Sequence, residues 1–182
     1  MKATGIVRRI DDLGRVVIPK EIRRTMRIRE GDPLEIYTDK EGGVIFRKYS
    51  PMGEMSDFAA QICETLHKIS GFMTAVTDRD TVIAVSGPAK REMVDKRLSE
   101  GVEQIMEERQ TYRCQQGDAK VPVLEGHEKY HVGVAAPILA EGDVSGCVLL
   151  LVLTSDAPAT MGDTESKLTQ VAAGFLGRQM EV

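Results

Sequence analysis

The chain has 182 residues, 42% of them hydrophobic, and a formal net charge of −4 at pH 7. Its length suits one or two domains, and its longest apolar run, residues 147–153, is far too short to span a bilayer. Residues 1–50 carry a net charge of +4, whereas residues 51–182 carry −8. This split fits a nucleic-acid reader joined to an acidic regulatory or assembly domain, although uneven charge could also serve solubility alone.

Clustered cations mark the beginning of the chain. Eight of them, seven being arginines, lie among regularly placed apolar residues between positions 3 and 29. The planar guanidinium group matches phosphate groups and guanine edges better than the point charge of lysine does. The density of the cluster therefore favours nucleic-acid contact over a merely solvated basic face. The eight cations are Arg8, Arg9, Arg15, Lys20, Arg23, Arg24, Arg27 and Arg29.

Two hairpins are predicted in this basic module. β-Branched residues at 6–7 and 16–18 predict short strands around a turn at 11–14. Alternating apolar and polar residues predict a second pair of strands at 34–37 and 44–47. Fifty residues with so few large apolar side chains bury too little surface to be stable alone, and no disulfide or metal site is available to them. Dimerisation is the remaining route to stability.

A short helix is predicted between the hairpins. Pro19 suits the first turn of a helix, which is expected to end near Met26. Ile22 lies one turn before Met26, so both side chains are expected to face a core. Arg23 and Arg24 then point away from that core.

The opening of the chain resembles that of the AbrB-like transition-state regulators. The matching pattern is Met-Lys-x-Thr-Gly-Ile-Val-Arg-x-x-Asp-x-Leu-Gly-Arg-Val-Val-Ile-Pro-x-Glu-x-Arg-Arg, and the match extends over residues 1–50. This resemblance implies an intertwined dimer with swapped hairpins, a detail that composition alone does not supply. It also implies that DNA is contacted by Arg8, Arg15, Arg23 and Arg24.

The rest of the chain predicts a second domain of the α+β class. Residues 51–55 are expected to form a linker, and residues 56–182 a domain in which helices flank an antiparallel sheet. The predicted elements are helices at 56–70 and 163–180, a broken helical region at 88–109, and strands at 72–77, 81–85, 121–124, 131–139 and 145–153.

The helices at the two ends of this domain carry apolar faces. The first is expected to turn Phe58, Ile62, Leu66 and Ile69 toward the core. The closing helix has a stripe wide enough to pack on its own sheet and on a partner helix, which would join N-terminal dimers into a tetramer. A helix whose apolar stripe packs only on its own core would show the same sequence pattern. The residues assigned to oligomerisation are Leu168, Val171, Ala172, Phe175 and Leu176.

The final predicted hairpin resembles that of GAF domains. The pattern is Val-Ala-Ala-Pro-Ile followed by Gly-Cys-Val-Leu-Leu-Leu. The resemblance implies that the first and last helices pack side by side and pair with those of a partner. GAF domains often bind a small molecule between sheet and helices, but aromatic residues make up only 4% of this chain. A vacant, assembling domain and one that binds an unidentified small molecule are equally open.

No catalytic motif is evident in the second domain. The sequence lacks a Gly-x-Ser-x-Gly nucleophile turn, a phosphate-binding loop and a dinucleotide-binding fingerprint. Its three cysteines and three histidines are not arranged at zinc-binding spacing. Cys63 and Cys147 lie in apolar runs and are expected to be small buried hydrophobes. The sequence therefore predicts a protein that is not an enzyme and needs no cofactor.

The leading hypothesis is a bacterial transcription regulator that binds double-stranded DNA. Its contacts would be mostly to phosphates, at AT-leaning and loosely defined sites. The whole chain resembles those AbrB-like regulators that carry a second domain. This resemblance implies that it activates and represses forespore genes during sporulation. We expect a soluble, cytoplasmic, nucleoid-associated protein with no membrane partner.

Two other functions compete with this hypothesis. AbrB-like N-termini also occur in antitoxins that bind DNA and a toxin, but the tail of an antitoxin is usually short and disordered, whereas residues 56–182 are predicted to fold. The third hypothesis is a small-molecule-binding regulator of an enzyme, in which the basic module only dimerises.

Overall fold

The computed structural model describes residues 4–156 and 161–181. It divides the chain into two compact units, the first ending at Tyr49 and the second beginning at Ser50. Helices accompany antiparallel sheets, one of two strands and one of six. The predicted α+β class is confirmed.

The first unit contains a helix followed by a hairpin. Helix α1 spans Lys20–Met26, as predicted, and strands β1 (Leu34–Thr38) and β2 (Val44–Lys48) pair antiparallel. Asp39 closes the hairpin, because its side chain accepts hydrogen bonds from the backbone N–H groups of Glu41 (3.0 Å) and Gly43 (2.7 Å). An acidic side chain that binds nearby N–H groups is a common way to fix such a turn.

The predicted strands at 6–7 and 16–18 are wrong for the single chain. Both segments lack strand pairing, although the turn between them is formed. Val7 is 86% exposed and Met26 is 54% exposed, so α1 does not turn Met26 toward a core. The physical reason is the one given by composition: one copy of so small a unit has no core that could cover these side chains.

The second unit is a six-stranded antiparallel sheet with helices on both faces. Its elements are α2 (Pro51–Glu54), α3 (Ser56–Ser70), β3 (Met73–Thr77), β4 (Val82–Ser86), α4 (Lys90–Met93), α5 (Glu100–Glu108), β5 (Tyr112–Arg113), β6 (Pro122–Leu124), β7 (His127–Ala140), β8 (Asp143–Leu153) and α6 (Asp163–Gln179).

Two hydrophobic clusters lie on opposite faces of this sheet. The strand order is β4-β3-β8-β7-β5, and β6 also pairs with β7. One cluster packs α2, α3 and α6 against the sheet, and the other packs α4 and α5. The β7–β8 hairpin supplies buried residues to both clusters, because successive side chains along a strand point to opposite faces. This hairpin is therefore the centre of the unit, and the predicted strands within it are confirmed.

The predicted linker at 51–55 is wrong in its first four residues, which form helix α2. Ser50 caps this helix by accepting a hydrogen bond from the N–H of Gly53 (3.1 Å) and donates its hydroxyl to Asp78 (3.0 Å). Met52 is fully buried in the cluster beneath α3 and α6. Burial of this side chain holds the segment on the sheet, so it does not act as a flexible connection.

The predicted inner face of α3 is displaced by about one residue. The buried side chains are Ala59, Cys63 and Leu66, whereas Phe58 and Ile69 are exposed. Small residues at 59 and 63 let the helix approach the sheet closely, and the larger aromatic side chain is left outside. The sequence pattern favoured the larger residues because hydrophobicity alone does not report how near a helix lies to its sheet.

A stability test follows from two glycines on α6. A Cβ atom at Gly177 would lie 2.1 Å from the carbonyl oxygen of Leu139, whereas one at Gly174 would meet nothing within 4 Å. We expect Gly177→Ala to destabilise the second unit by about 1–3 kcal/mol, because backbone must move. Gly174→Ala is the matched control and should stabilise the helix by up to about 1 kcal/mol. Urea unfolding of the two variants measures the difference, and equal midpoints would contradict this packing.

Candidate nucleic-acid interface

The C-terminal end of α1 is fixed by an unusual cap. Arg27 adopts a left-handed conformation with φ 51°, which a residue other than glycine rarely occupies. The N–H of Ile28 donates to the carbonyl oxygen of Arg23 (2.8 Å), and the N–H of Arg27 donates to that of Arg24 (3.3 Å). These two hydrogen bonds form a Schellman motif, which ends the helix sharply after Met26.

Strand β2 fastens this cap to the rest of the unit. The Nζ of Lys48 donates to the carbonyl oxygen of Arg27 (2.9 Å) and lies 3.6 Å from the carboxylate of Asp32. Asp32 in turn accepts a hydrogen bond from the N–H of Arg29 (2.8 Å). The helix therefore has a defined position against the β1–β2 hairpin. Lys48 and Asp32 are structural residues that the sequence reading missed, since a charged pair that is distant in sequence leaves no local pattern.

The arginine pair on α1 is exposed. Arg23 and Arg24 lie in the last turn of the helix, and within the described residues neither side chain makes a hydrogen bond or an ion pair. Cations at this end of a helix also interact favourably with its dipole. Two guanidinium groups are thus presented to solvent by a helix whose end is fixed.

The other two predicted arginines lie outside α1. Arg8 is exposed on the segment before the 11–14 turn, and Arg15 is exposed just after it. Arg15 forms an ion pair with Asp11, the distance from Nε to Oδ2 being 2.8 Å. Hydrogen bonds from the backbone and the side chain of Arg15 hold the pKa of Asp11 below its usual value. Asp11 is therefore ionised at neutral pH.

Arg27 and Arg29 differ from these four arginines. Both are half-buried and both belong to the region that caps α1. Their backbones take part in the bonds described above, so their first role is structural. The family resemblance likewise assigned DNA contact to Arg8, Arg15, Arg23 and Arg24 and not to these two residues.

The structure divides the predicted oligomerisation stripe of α6. Ala172 and Leu176 are buried in the chain's own core, so their assignment to a partner interface is wrong. Val171 is 72% exposed and Phe175 is 43% exposed, while Leu168 is half-buried. Residues 172 and 176 face the sheet because the helix turns by 100° per residue, which leaves 171 and 175 on its flank.

An exposed aromatic contact joins α6 to α3. The rings of Phe58 and Phe175 lie with their centroids 6.4 Å apart, within the range of a favourable aromatic pair. Together with Val171 they form an exposed apolar surface, which we call the helix-pair face. Phe58 was missed as a surface residue because its spacing resembled that of a core position.

The buried thiols have structural surroundings. Cys63 and Cys147 are fully buried, as predicted, and burial raises the pKa of Cys63 to about 12. Among the described residues, no group of three or more His, Cys, Asp or Glu side chains could hold a metal ion. No helix in the described part of the chain is long and apolar enough to cross a membrane.

The second unit has the fold of a GAF domain. It resembles the crystal structure of the GAF domain from an Acinetobacter phosphoenolpyruvate-protein phosphotransferase, with a TM-score of 0.56 and 14% identity over 73% of this chain and 83% of that one. The cyanobacteriochrome receptor PixJ is similar, with a TM-score of 0.53 and 12% identity over 72% of this chain and 98% of that one. The expected GAF-like architecture is confirmed.

Sequence relatives supply the family. The family model for the C-terminal part of stage V sporulation protein T, described as a transcription factor, matches residues 54–181. Stage V sporulation protein T of Bacillus subtilis is 50% identical over 186 residues, covering 100% of this chain and 99% of that protein. The chain belongs to the stage V sporulation protein T family of transcription factors.

The first unit has relatives of its own. The transition state regulatory protein AbrB of Bacillus subtilis is 57% identical over 63 residues, which cover 31% of this chain and 65% of that protein. The family model for antidote-toxin recognition by the bacterial antitoxin MazE matches residues 7–53. The predicted resemblance to AbrB-like regulators is confirmed. The antitoxin hypothesis is less well supported than the transcription-regulator hypothesis, because most of the chain matches a transcription-factor family.

Proposed function

We propose that the chain regulates transcription of sporulation genes by binding double-stranded DNA through its first unit. The observation that carries the proposal is the exposed pair Arg23 and Arg24 on a helix whose end is capped and fixed to β2. Arg8 and Arg15 extend the same basic unit. We place this activity in the cytoplasm, on the nucleoid and in the forespore, and we expect both activation and repression. No catalytic step is part of the proposal.

The mode of binding follows from the size of α1. Seven residues make about two helical turns, too few to read a long base sequence in the major groove. Phosphate contacts by arginines should dominate affinity, and local DNA shape should set preference. We therefore expect AT-leaning sites of loose definition. A gel shift that compares AT-rich with GC-rich duplexes tests this, and absence of any shift would favour the enzyme-regulator hypothesis.

The first unit is proposed to dimerise through swapped hairpins. Its support is the set of exposed apolar side chains in one copy, where a partner chain would cover them. They include Val7, Ile10, Leu13, Val17 and Met26. A dimer also doubles the number of arginines that one binding event brings to DNA.

This dimer can be tested on a fragment of residues 1–49, which ends where the first unit ends. We expect a folded dimer and no folded monomer, because one copy has too little core. Mass action then requires the thermal midpoint to fall on dilution. A monomeric mass combined with a midpoint independent of concentration would contradict the proposal.

The second unit is proposed to assemble dimers into a tetramer through the helix-pair face. The exposed ring pair of Phe58 and Phe175, together with Val171, offers an apolar surface outside the core. Two DNA-binding modules on one assembly would gain affinity through effective concentration, without new contacts. A signal that alters this pairing would change DNA occupancy without acting on the arginines themselves.

An unidentified small molecule is the remaining partner to consider for the second unit. The sheet face under α4 and α5 is packed with buried apolar side chains, among them Met93, Leu98 and Val102. A ligand between sheet and helices would have to displace some of them. We therefore propose assembly as the first role of this unit, with sensing as a role that requires these side chains to move.

A further inference from the structure

Asp11 is the centre of the loop that carries Arg15. Its Oδ1 atom accepts hydrogen bonds from the backbone N–H groups of Leu13 (3.0 Å) and Arg15 (2.8 Å). Its own N–H donates to the carbonyl oxygen of Arg15 (3.1 Å), and its carbonyl oxygen accepts from the N–H of Gly14 (3.0 Å). Gly14 takes φ 75°, which the tight turn requires. One acidic residue thus organises the whole turn.

The remaining carboxylate oxygen of Asp11 holds the side chain of Arg15. The bond runs from Nε of Arg15 to Oδ2 of Asp11 at 2.8 Å, so only one of the five guanidinium N–H donors is used. The Arg15 side chain is still 69% exposed, whereas that of Asp11 is 34% exposed. The two terminal nitrogens of Arg15 therefore remain available to a ligand, while the hydrogen bond at Nε restricts the guanidinium group.

A carboxylate in a DNA-binding loop is unexpected on electrostatic grounds, because it repels phosphate. Asp12 is exposed in the same loop, and within the described residues it makes no hydrogen bond or ion pair. Asp11 therefore differs from its neighbour in its bonds and not in its charge. Any contribution of Asp11 to DNA binding must therefore come from the geometry that its hydrogen bonds impose.

We propose that Asp11 is a positioning residue for DNA recognition, which fixes the guanidinium fork of Arg15 before DNA arrives. This inference rests on the proposed DNA-binding function. A long, flexible side chain loses rotamer freedom when it is bound, and a side chain that is already held loses less. Asp11 thereby offsets the repulsion that its own charge introduces.

The test compares Asp11→Asn with Asp12→Asn in the full chain, on an AT-rich duplex at fixed salt. The two variants remove the same charge from the same loop. Asn at position 11 keeps a carbonyl oxygen for the backbone N–H groups of the turn but loses the carboxylate that holds Nε of Arg15. We expect Asp11→Asn to weaken binding about three- to tenfold, and Asp12→Asn to leave it unchanged or to tighten it. Equal tightening by both variants would overturn the proposal.

Two further readouts separate positioning from a general structural role. The Nε–H resonance of Arg15 should exchange slowly with solvent in the wild type and rapidly in Asp11→Asn. In an Arg15→Ala background, Asp11→Asn should no longer weaken binding, because nothing is left to position. A loss of the same size in that background would assign Asp11 to the turn alone and overturn the positioning role.

Arg15→Lys covers the case in which Asp11→Asn fails to fold. Lysine keeps the charge but has no fork and no Nε donor at the same place, so it should bind less tightly than the wild type. Full affinity in Arg15→Lys would overturn the proposal. Failure of the DNA-binding function is a separate outcome, in which Arg15→Ala and the double variant Arg23→Ala/Arg24→Ala bind like the wild type.

Discussion

Replacing both Arg23 and Arg24 with alanine is expected to weaken DNA binding by orders of magnitude while leaving the oligomer intact. Both side chains are exposed at the fixed end of α1 and make no hydrogen bond or ion pair within the described residues, so their removal should cost little stability. Each lost phosphate contact should also flatten the slope of log K against log salt by about 0.9. Fluorescence anisotropy over a salt series measures both effects.

The matched control removes two cations from the acidic second unit. Arg91 and Lys167 are exposed there, and their double alanine variant has the same net charge as the Arg23/Arg24 variant. We expect the control to retain nearly the wild-type affinity and slope. If the two variants behave alike, net charge governs binding and the α1 surface has no special part in it.

Phe175→Asp is expected to convert the proposed tetramer of this chain into a dimer. The substitution places a charge in the middle of the helix-pair face, where burial against a partner would cost several kcal/mol unless the charge were paired. Because Phe175 is 43% exposed within one chain, the second unit itself should stay folded. Light scattering gives the mass, and circular dichroism checks the fold.

A suitable control is Gln104→Asp on α5. Gln104 is exposed on a helix that packs against the opposite face of the sheet, and the substitution changes the charge by the same amount. We expect this variant to remain a tetramer. A wild type that is only a dimer, or a Phe175→Asp variant that remains a folded tetramer, would remove the helix-pair face from the assembly.

Local patterns predicted those parts of the fold whose cause is local. Pro19 set the beginning of α1, and apolar alternation set the hairpin of the first unit and the β7–β8 hairpin. Strand pairing was wrongly predicted at 6–7 and 16–18, because β-branched residues indicate a strand but do not supply a second strand to pair with. A hydrophobic pattern identifies apolar side chains but does not indicate which surface will bury them.

The candidate site was predictable in type but not in detail. Four arginines could be chosen from the family resemblance, and the structure leaves all four exposed. The bonds made by Asp11 and Lys48 could not be predicted, since each depends on where a backbone carbonyl or an Nε–H group lies. On α6, the stripe could be recognised as apolar, but assigning Leu176 to the core and Phe175 to the surface required the orientation of the helix.

If the first unit dimerises as proposed, its exposed apolar side chains affect how long the protein persists in a cell. A newly made chain that has not met a partner displays Val7, Ile10 and Val17 to the solvent. Such surface is what chaperones and proteases recognise, so unpaired chains should be removed faster than paired ones. Abundance would then rise more steeply than synthesis, because pairing depends on the square of chain concentration. A regulator built this way would stay scarce under weak expression and accumulate sharply once its synthesis exceeds a threshold.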